Sequence, residues 1–468
     1  MKAIRKAMPA IALSGALLAT GCATYDTSTM VQDLDSHYQN GRYEGVVYAV
    51  ESALDLRDEE TGKLLPVAAT PKSILMHLEA GESWRLMGNY RRAIAHYDAV
   101  EGLFANEDTE SVGAKIGESI GAALLNDSAR SYDPPPSERI LTNFYKALAF
   151  WGEGEPDNAR VEFNRANDRA RIAVERYAKD IAKAQEEAAE KGVENSNEQV
   201  DSALSQHFPG IDQWEVYDDF VNPAVAYVNA LFLAGGQNAD IEKAETLMKR
   251  VRGMTGEHPV IDTDLMALRQ TSSIGGDGHY RWVVFEAGLG PIYKEKKITM
   301  PWLASMNGQP VMINLALPEM TDRNGVVDVN SVVVNGKPLE FAPLASMEKV
   351  LRTEYKKRMP PTVARAAVSA GAKALIQKEM GDRMGPMGSL LGMAYSAAST
   401  SADTRIWRST PEKWAVAKIS ADQGQEILRI PYGNGESREI YLPAGKNSFV
   451  YIKQPTPASY PLVEVYEL

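Results

Sequence analysis

The spacing of apolar residues changes along this chain. From Phe163 the apolar positions Ala166, Ala170, Ala173, Tyr177, Ile181 and Ala184 recur every three or four residues, with charged residues between them. That period places them on one face of a long helix whose outer face is highly charged. The helix is expected to pack on its neighbours and to fray at "EEAAEKGVENSNEQ", which has turn and disorder character. Around residue 260 the period shortens. "HYRWVVFEAG", "QPVMINLAL", "SVVVNGKPLEF", "AVAKI", "EILRI", "REIYL" and "SFVYIKQ" are short runs rich in β-branched and aromatic residues, the pattern of strands. Asn-Gly pairs at Asn324-Gly325, Asn335-Gly336 and Asn434-Gly435 mark tight turns. Seven or more such strands predict an antiparallel sandwich or barrel. Between two groups of strands, Met347 to Ser401 reads as helical again, split by Pro360-Pro361. Its last part, Met384 to Thr400, has no charge and is expected to be a buried helix pair covering one face of the β region, with a partner interface or insertion into a membrane as the alternatives.

The first half also repeats itself. In "GESWRLMGNYRRAIAHYDAV", Gly81 and Gly88 flank Trp84, and Ala93, Tyr97 and Val100 follow. This spacing resembles the tetratricopeptide repeat (TPR), a pair of antiparallel helices. The resemblance implies that Gly81 lets two helices approach, Gly88 turns the chain and Ala93 is the close contact of the second helix. "NGRYEGVVYAVESAL", turning at Gly41, and "GEGEPDNARVEFNRA", turning at Gly154, share the second half of the pattern. A fourth copy runs from Phe220 to Val251, with Gly235 and Gly236 at the turn and Ala244 in the packing position. The intervals between turns are unequal, so the repeats are degenerate and interrupted.

The chain opens with "MKAIRKAMPAIALSGALLATGC": a basic start, a short apolar run, then small residues leading to Cys22. This is the layout of a secretory signal, too short and wrongly flanked for a spanning helix. Its end resembles the bacterial lipobox, with Ala19 where that family prefers Leu. The resemblance implies that residues 1–21 are removed, that the Cys22 thiol carries a diacylglyceryl group and that the new amine is acylated. Cys22 is the only cysteine of 468 residues, and several acyl chains anchor stably where one does not. Ala23 follows it, and in lipoprotein sorting a residue other than Asp there implies the outer membrane, facing the periplasm. A lipidated Cys22 leaves no intrachain disulfide, so the folded body must rest on its core.

Composition is that of a globular protein, 44% hydrophobic and 24% charged. A formal net charge of −12 disfavours nucleic acid and gives no basic patch for an anionic membrane. The six histidines are scattered, none stands in HExxH, and no cysteine remains for a zinc site. "EHPVIDTD" (Glu257 to Asp264) comes nearest to an acidic cation site, but it reads as a loop at the domain junction. "DRNGVVD" lacks the spacing of a calcium loop. There is no P-loop and no GxSxG. No catalytic residue, metal or cofactor is expected.

Two stretches in the second half stand apart: "FEAGLGPIYKEK" (Phe285 to Lys296) and "ADTRIWRSTPEKWAVAKI" (Ala402 to Ile419). Gly288, Gly290 and Pro291 read as a turn leaving a strand. Asp403 and Arg405 are expected to have a structural role at a domain seam, pairing with each other or with the backbone over a packed Trp407; the alternative is a buried pair that marks a binding site. Together the stretches resemble two signatures of a broad, functionally uncharacterised family of bacterial outer-membrane lipoproteins. Matching positions are Glu286, Gly288, Gly290, Pro291, Ala402, Asp403, Thr404, Arg405, Trp407 and Pro411. The resemblance implies a TPR-like N-terminal region, a C-terminal β region and a cell-envelope setting, since members are often encoded near lipoprotein activators of penicillin-binding proteins.

The expectation is thus an α+β chain: a signal over 1–21, a lipidated tether over 22–33, a TPR-like helical domain over 34–258 and a β domain over 259–468 with a helical insertion at 347–401. Its expected function is a non-catalytic, outer-membrane-anchored scaffold or adaptor for a periplasmic or outer-membrane protein partner. The alternatives are a structural subunit of an outer-membrane export or surface assembly, and an enzyme acting on the cell wall.

Overall fold

Left-handed glycines turn the helical half from one helix to the next. The structure, a computed structural model, describes residues 34–58, 60–109, 132–190, 202, 205–208, 213–217, 221–235, 239–303, 310–323, 325–359, 362–363, 401–421 and 424–468. A short helix at 34–39 leads through Gly41 into α1 (Tyr43–Ala53); α2 (Ile74–Leu86) turns at Gly88 into α3 (Tyr90–Thr109). Next, α4 (Pro136–Gly152) turns at Gly154 into α5 (Pro156–Glu190), and α6 (Pro223–Ala234) leads past Gly235 into α7 (Ile241–Thr255). Gly41, Gly88 and Gly154 have φ of +63°, +77° and +79°, a region where a side chain is strained. Proline sets several starts: Pro136, Pro223 and Pro259 each occupy the first helical turn, where the missing N–H costs nothing.

The expected packing positions Ala93, Tyr97, Ala159, Phe163, Ala166 and Ala244 are all buried. α6 is buried along its whole length, so its apolar residues run without a polar face. The long helix α5 continues to Glu190; the rest of its expected fraying segment lies outside the described residues, as do Cys22, Asn324 and Met384 to Thr400.

The second half is rich in antiparallel pairing but not wholly antiparallel. Its strands are β1 (Tyr280–Ala287), β2 (Ile292–Leu303), β3 (Pro310–Thr321), β4 (Val333–Val334), β5 (Lys337–Pro338) and β6 (Ala342–Ser346). After α9 (residues 347–359) follow β7 (Lys413–Ser420), β8 (Glu426–Tyr432), β9 (Glu436–Leu442), β10 (Ser448–Gln454) and β11 (Leu462–Glu467). Five strands form one sheet in the order β11-β10-β1-β7-β6, and β5-β4-β8-β9 form another. β2 and β3 make a long two-stranded hairpin. Within the larger sheet β1 runs parallel to β10 and antiparallel to β7, so the central strand is paired with segments more than a hundred residues away. The described strands do not close into a barrel.

Each face of the five-stranded sheet has its own neighbour. Val283, Phe285, Ala417, Val450 and Ile452 meet Val334, Leu428, Ile430 and Leu442 of the four-stranded sheet. Trp282, Val284, Val416, Phe449 and Tyr451 on the other face join Phe144, Phe163 and Phe232 of the helices in one cluster. Burial on both faces explains why β1 and β10 read as nearly continuous apolar runs. The expected boundary at 258/259 coincides with the start of another helix, α8 (Pro259–Thr271), packed against α7. "EHPVIDTD" is therefore a helix start rather than a loop: His258 is its N-cap and accepts the Ile261 N–H through Nδ1.

Candidate functional site

Residues 401–412 form no helix or strand, yet more than half of them are buried. This strap runs between the helices and the edge of the sheet, and it carries the second sequence signature. Trp407 is completely buried, with the ring of Tyr145 edge-on at 5.5 Å and that of Tyr97 at 6.4 Å. Truncating a core tryptophan costs about 3–5 kcal/mol. An irregular segment in a core must also satisfy its backbone from side chains. It does so residue by residue. The Trp407 N–H donates to Glu138 Oε1 at 2.8 Å, and the Arg408 N–H to Glu79 Oε1 at 2.6 Å. The Arg408 carbonyl accepts from Arg323 Nη2 at 2.6 Å, that of Ser409 from Lys453 Nζ at 3.1 Å and that of Thr410 from the Gly290 N–H at 2.8 Å. Asp35 accepts from the side chains of both Arg408 and Arg323.

The two signatures thus lie against each other. A Cβ at Gly290 would come within 2.6 Å of the Pro411 carbonyl oxygen. Gly288 has φ of +78°, and a Cβ there would meet Glu412 at 2.6–2.7 Å. Gly288 and Gly290 follow β1 as its exit turn, and Pro291 leads into β2. Asp403 and Arg405 bind each other: Arg405 Nε donates to Oδ1 at 2.8 Å and Nη2 to Oδ2 at 2.7 Å, and the Arg405 backbone N–H reaches Oδ1 at 3.1 Å. The first repeat meets the same seam. Gly81 is the close approach, since a Cβ there would stand 2.8 Å from the ring of Tyr97.

Beneath the strap lies a closed set of ionisable groups. Arg85 binds Glu82 through Nε at 2.9 Å and Nη2 at 2.8 Å, and reaches Glu464 through Nη1 at 3.0 Å. Lys453 Nζ stands 2.8 Å from Glu82 and 2.5 Å from Glu286. Tyr97 donates to Glu82, while Tyr145 and Tyr451 donate to Glu286. All these residues are buried. Burial pushes the Glu82 carboxyl up, but Arg85 and Lys453 outweigh it and hold the pKa low. Burial raises Glu464 to about 7. Around the strap, burial likewise raises Glu79 to about 7 and Glu138 to about 8. The phenols are pushed up too, so they act as neutral donors. Glu82, Glu286, Arg85 and Lys453 therefore bind one another away from water, with Glu464 held by Arg85 beside them. Removing one partner of such a set costs about 3–5 kcal/mol, because the rest is left uncompensated.

A second buried group sits under the α2–α3 hairpin. Glu51 accepts from Trp84 Nε1 at 3.0 Å, Arg92 Nε at 2.8 Å and Arg57 Nη2 at 3.0 Å, with His96 Nε2 at 3.3 Å. His96 Nδ1 faces His77 Nδ1 at 2.9 Å. Burial and the neighbouring His96 hold His77 down to about 3, so both rings stay neutral. The sequence had these histidines scattered; they meet because each lies about ten residues from the turn at Gly88. Among the described residues no group of three or more His, Cys, Asp or Glu is placed to hold a metal, and no helix is long and apolar enough to cross a membrane. An open groove between α7 and α8, about 460 Å³, is lined by Lys249, Arg252, Leu265, Met266 and Arg269. Its three cations are already paired with Glu245 or Asp262.

Set against protein-family models, curated proteins and solved structures, the chain matches none of them. Sequence reasoning found Trp407, Gly288, Gly290, Asp403 and Arg405. It missed Glu79, Glu82, Glu138, Arg85 and Lys453. Their only trace was charge at helix and strand positions where the surrounding period calls for apolar residues.

Proposed function

We propose that this protein is an outer-membrane-anchored, periplasm-facing lipoprotein that serves as a non-catalytic scaffold for a protein partner of the cell envelope. Its helical half is TPR-like and its two packed sheets are sandwich-like. The observation that carries the reading is the series of helix hairpins turning on Gly41, Gly88 and Gly154, with the small Gly81 held against Tyr97. Stacked hairpins offer an extended surface suited to a peptide or helix. The strap and its buried charges support this by joining that surface to the sheet as one body. The charge network also suits a positioning role, because its acids and bases are spent on each other. The resemblance of residues 17–22 to a lipobox supplies the anchor and the address.

The test is photocrosslinking from exposed positions of the helical half, such as Tyr48, in cells producing the full chain from its own signal. A discrete envelope protein, crosslinked from neighbouring positions and lost when they move to the far side of the same helix, is expected. Recovery of the chain alone from every position would overturn the scaffold reading.

A further inference from the structure

The end of the body from which the tether leaves also carries an exposed aromatic and arginine cluster. Leu34, the first described residue, is buried in one cluster with Tyr43, Leu289 and Leu462. The helix at 34–39 spans about 7.5 Å at 1.5 Å per residue, so the turn at 40–42 lies close to it. That turn rests on the loop 455–461 between β10 and β11. Thr456 Oγ1 donates to the Gln39 carbonyl at 3.4 Å, and a Cβ at Gly41 would come 3.0 Å from Ser459 Cα. The turn between β8 and β9 joins the same end, where the Gly433 N–H donates to the Pro457 carbonyl at 2.8 Å.

On this surface Tyr460 is 52% exposed. Its ring meets Tyr432 edge-on at 5.1 Å and lies under the Arg438 guanidinium at 4.8 Å. Arg438 also donates to the Pro461 carbonyl, which fixes it beside the ring, and Arg42 is exposed at the adjoining turn. Glu436, bonded to Tyr432, is the acid of the cluster. Tyrosine favours the membrane–water interface because its ring is apolar and its hydroxyl is wet. Arginine can bury its stem there while its fork meets phosphate oxygens.

The chain length outside the structure decides the occupant. Eleven residues lie between Cys22 and Leu34, a reach of about 40 Å fully extended and about 20 Å as a flexible coil. The opposite end of the sheet is the turn at 443–447, where Asn447 Oδ1 takes the Tyr280 N–H. Strand β1 separates the two ends by about 25 Å at 3.3 Å per residue.

We propose that the face formed by the turn at 40–42, the β8–β9 turn and the loop 455–461 lies against phospholipid headgroups, with Tyr432 and Tyr460 at the interface and Arg438 on phosphate. This rests on the reading of Cys22 as lipidated. Because that reading leaves no free thiol, an engineered cysteine is the only labelling site. The acylated full-length protein, carrying Tyr460→Cys, Ala458→Cys or Lys446→Cys, is labelled with bimane. It is then reconstituted in vesicles of phosphatidylethanolamine and phosphatidylglycerol with brominated acyl chains. Labels at 460 and 458 should be quenched several-fold more than the label at 446, which sits on the opposite turn. Equal quenching at both ends, in protein whose N-terminal peptide is shown by mass to be acylated, would overturn the placement alone. An unacylated N-terminal peptide would remove the anchor and the placement together.

Discussion

Glu138 shows at a single residue what the seam demands of its chemistry. Its carboxyl accepts the Trp407 N–H and the Tyr132 hydroxyl in full burial, and burial raises it from the ordinary 4.5 to about 8. A carboxyl raised on folding stabilises the native state fully below its unfolded pKa. That contribution is lost as pH rises through the folded value. The window here runs from about 4.5 to about 8. Glu138→Gln keeps an acceptor for Trp407 without the ionisation, and the Tyr132 hydroxyl can turn to accept from its amide. At 1.36 kcal/mol per unit, the variant should gain on the order of 4 kcal/mol relative to the native protein between pH 5 and pH 9. Urea unfolding at both pH values measures this. Parallel behaviour of the two proteins would show that Glu138 titrates normally. The neutral histidines His77 and His96 pull the other way in acid, but they are common to both proteins and cancel.

Among elements, the turns and the strap differ in what surrounds the same backbone conformation. Gly88 and Gly288 have nearly identical φ, +77° and +78°. Nothing lies within 4 Å of a Cβ at Gly88, whereas one at Gly288 meets Glu412. Alanine in the left-handed region costs about 1–2 kcal/mol in either place. Gly288→Ala should therefore be the more damaging by at least about 1 kcal/mol, since the strap must also shift. Equal melting temperatures for the two variants would mean that the strap yields freely. The same comparison tells a hinge from a lock: only the Gly288 variant should open the strap to trypsin at Arg405 and Arg408.

For the whole molecule the shared core matters most. The outer face of the five-stranded sheet is covered by α4, α5 and α6 in a single cluster, so neither half has a complete core. Residues 34–271 produced alone should expose the helical surface that packs on that face, aggregate or bind a hydrophobic dye, and be rescued by co-production of residues 272–468. A soluble fragment 34–271 with a cooperative melt would contradict this. The anchor is the other prediction at this scale. Cys22→Ser should leave an unprocessed precursor, and mass spectrometry of the native protein should find Cys22 at the N-terminus with lipid on sulfur and amine. A free thiol in an intact chain beginning at Met1 would refute the lipobox reading.

Local information sufficed where the chain's own spacing sets the outcome. Turn glycines at 41, 88 and 154, the buried face of α5 from Phe163 to Ala173 and the Asn335-Gly336 turn follow from neighbours a few residues apart, and the structure has them as expected. Trp407 and the Asp403–Arg405 pair were also legible, because a large aromatic beside a short ion pair has few places to go. Tertiary structure decided the rest. The parallel pairing of β1 with β10 depends on which strand reaches the centre of the sheet, and that choice is invisible to a period of two. The start of α8 at Pro259 was hidden by polar residues that serve as caps. Above all, Glu79 and Glu138 are charges on the apolar faces of their helices. They are buried because a strap from the far end of the chain presents two backbone N–H groups that each take a side-chain acceptor from a helix.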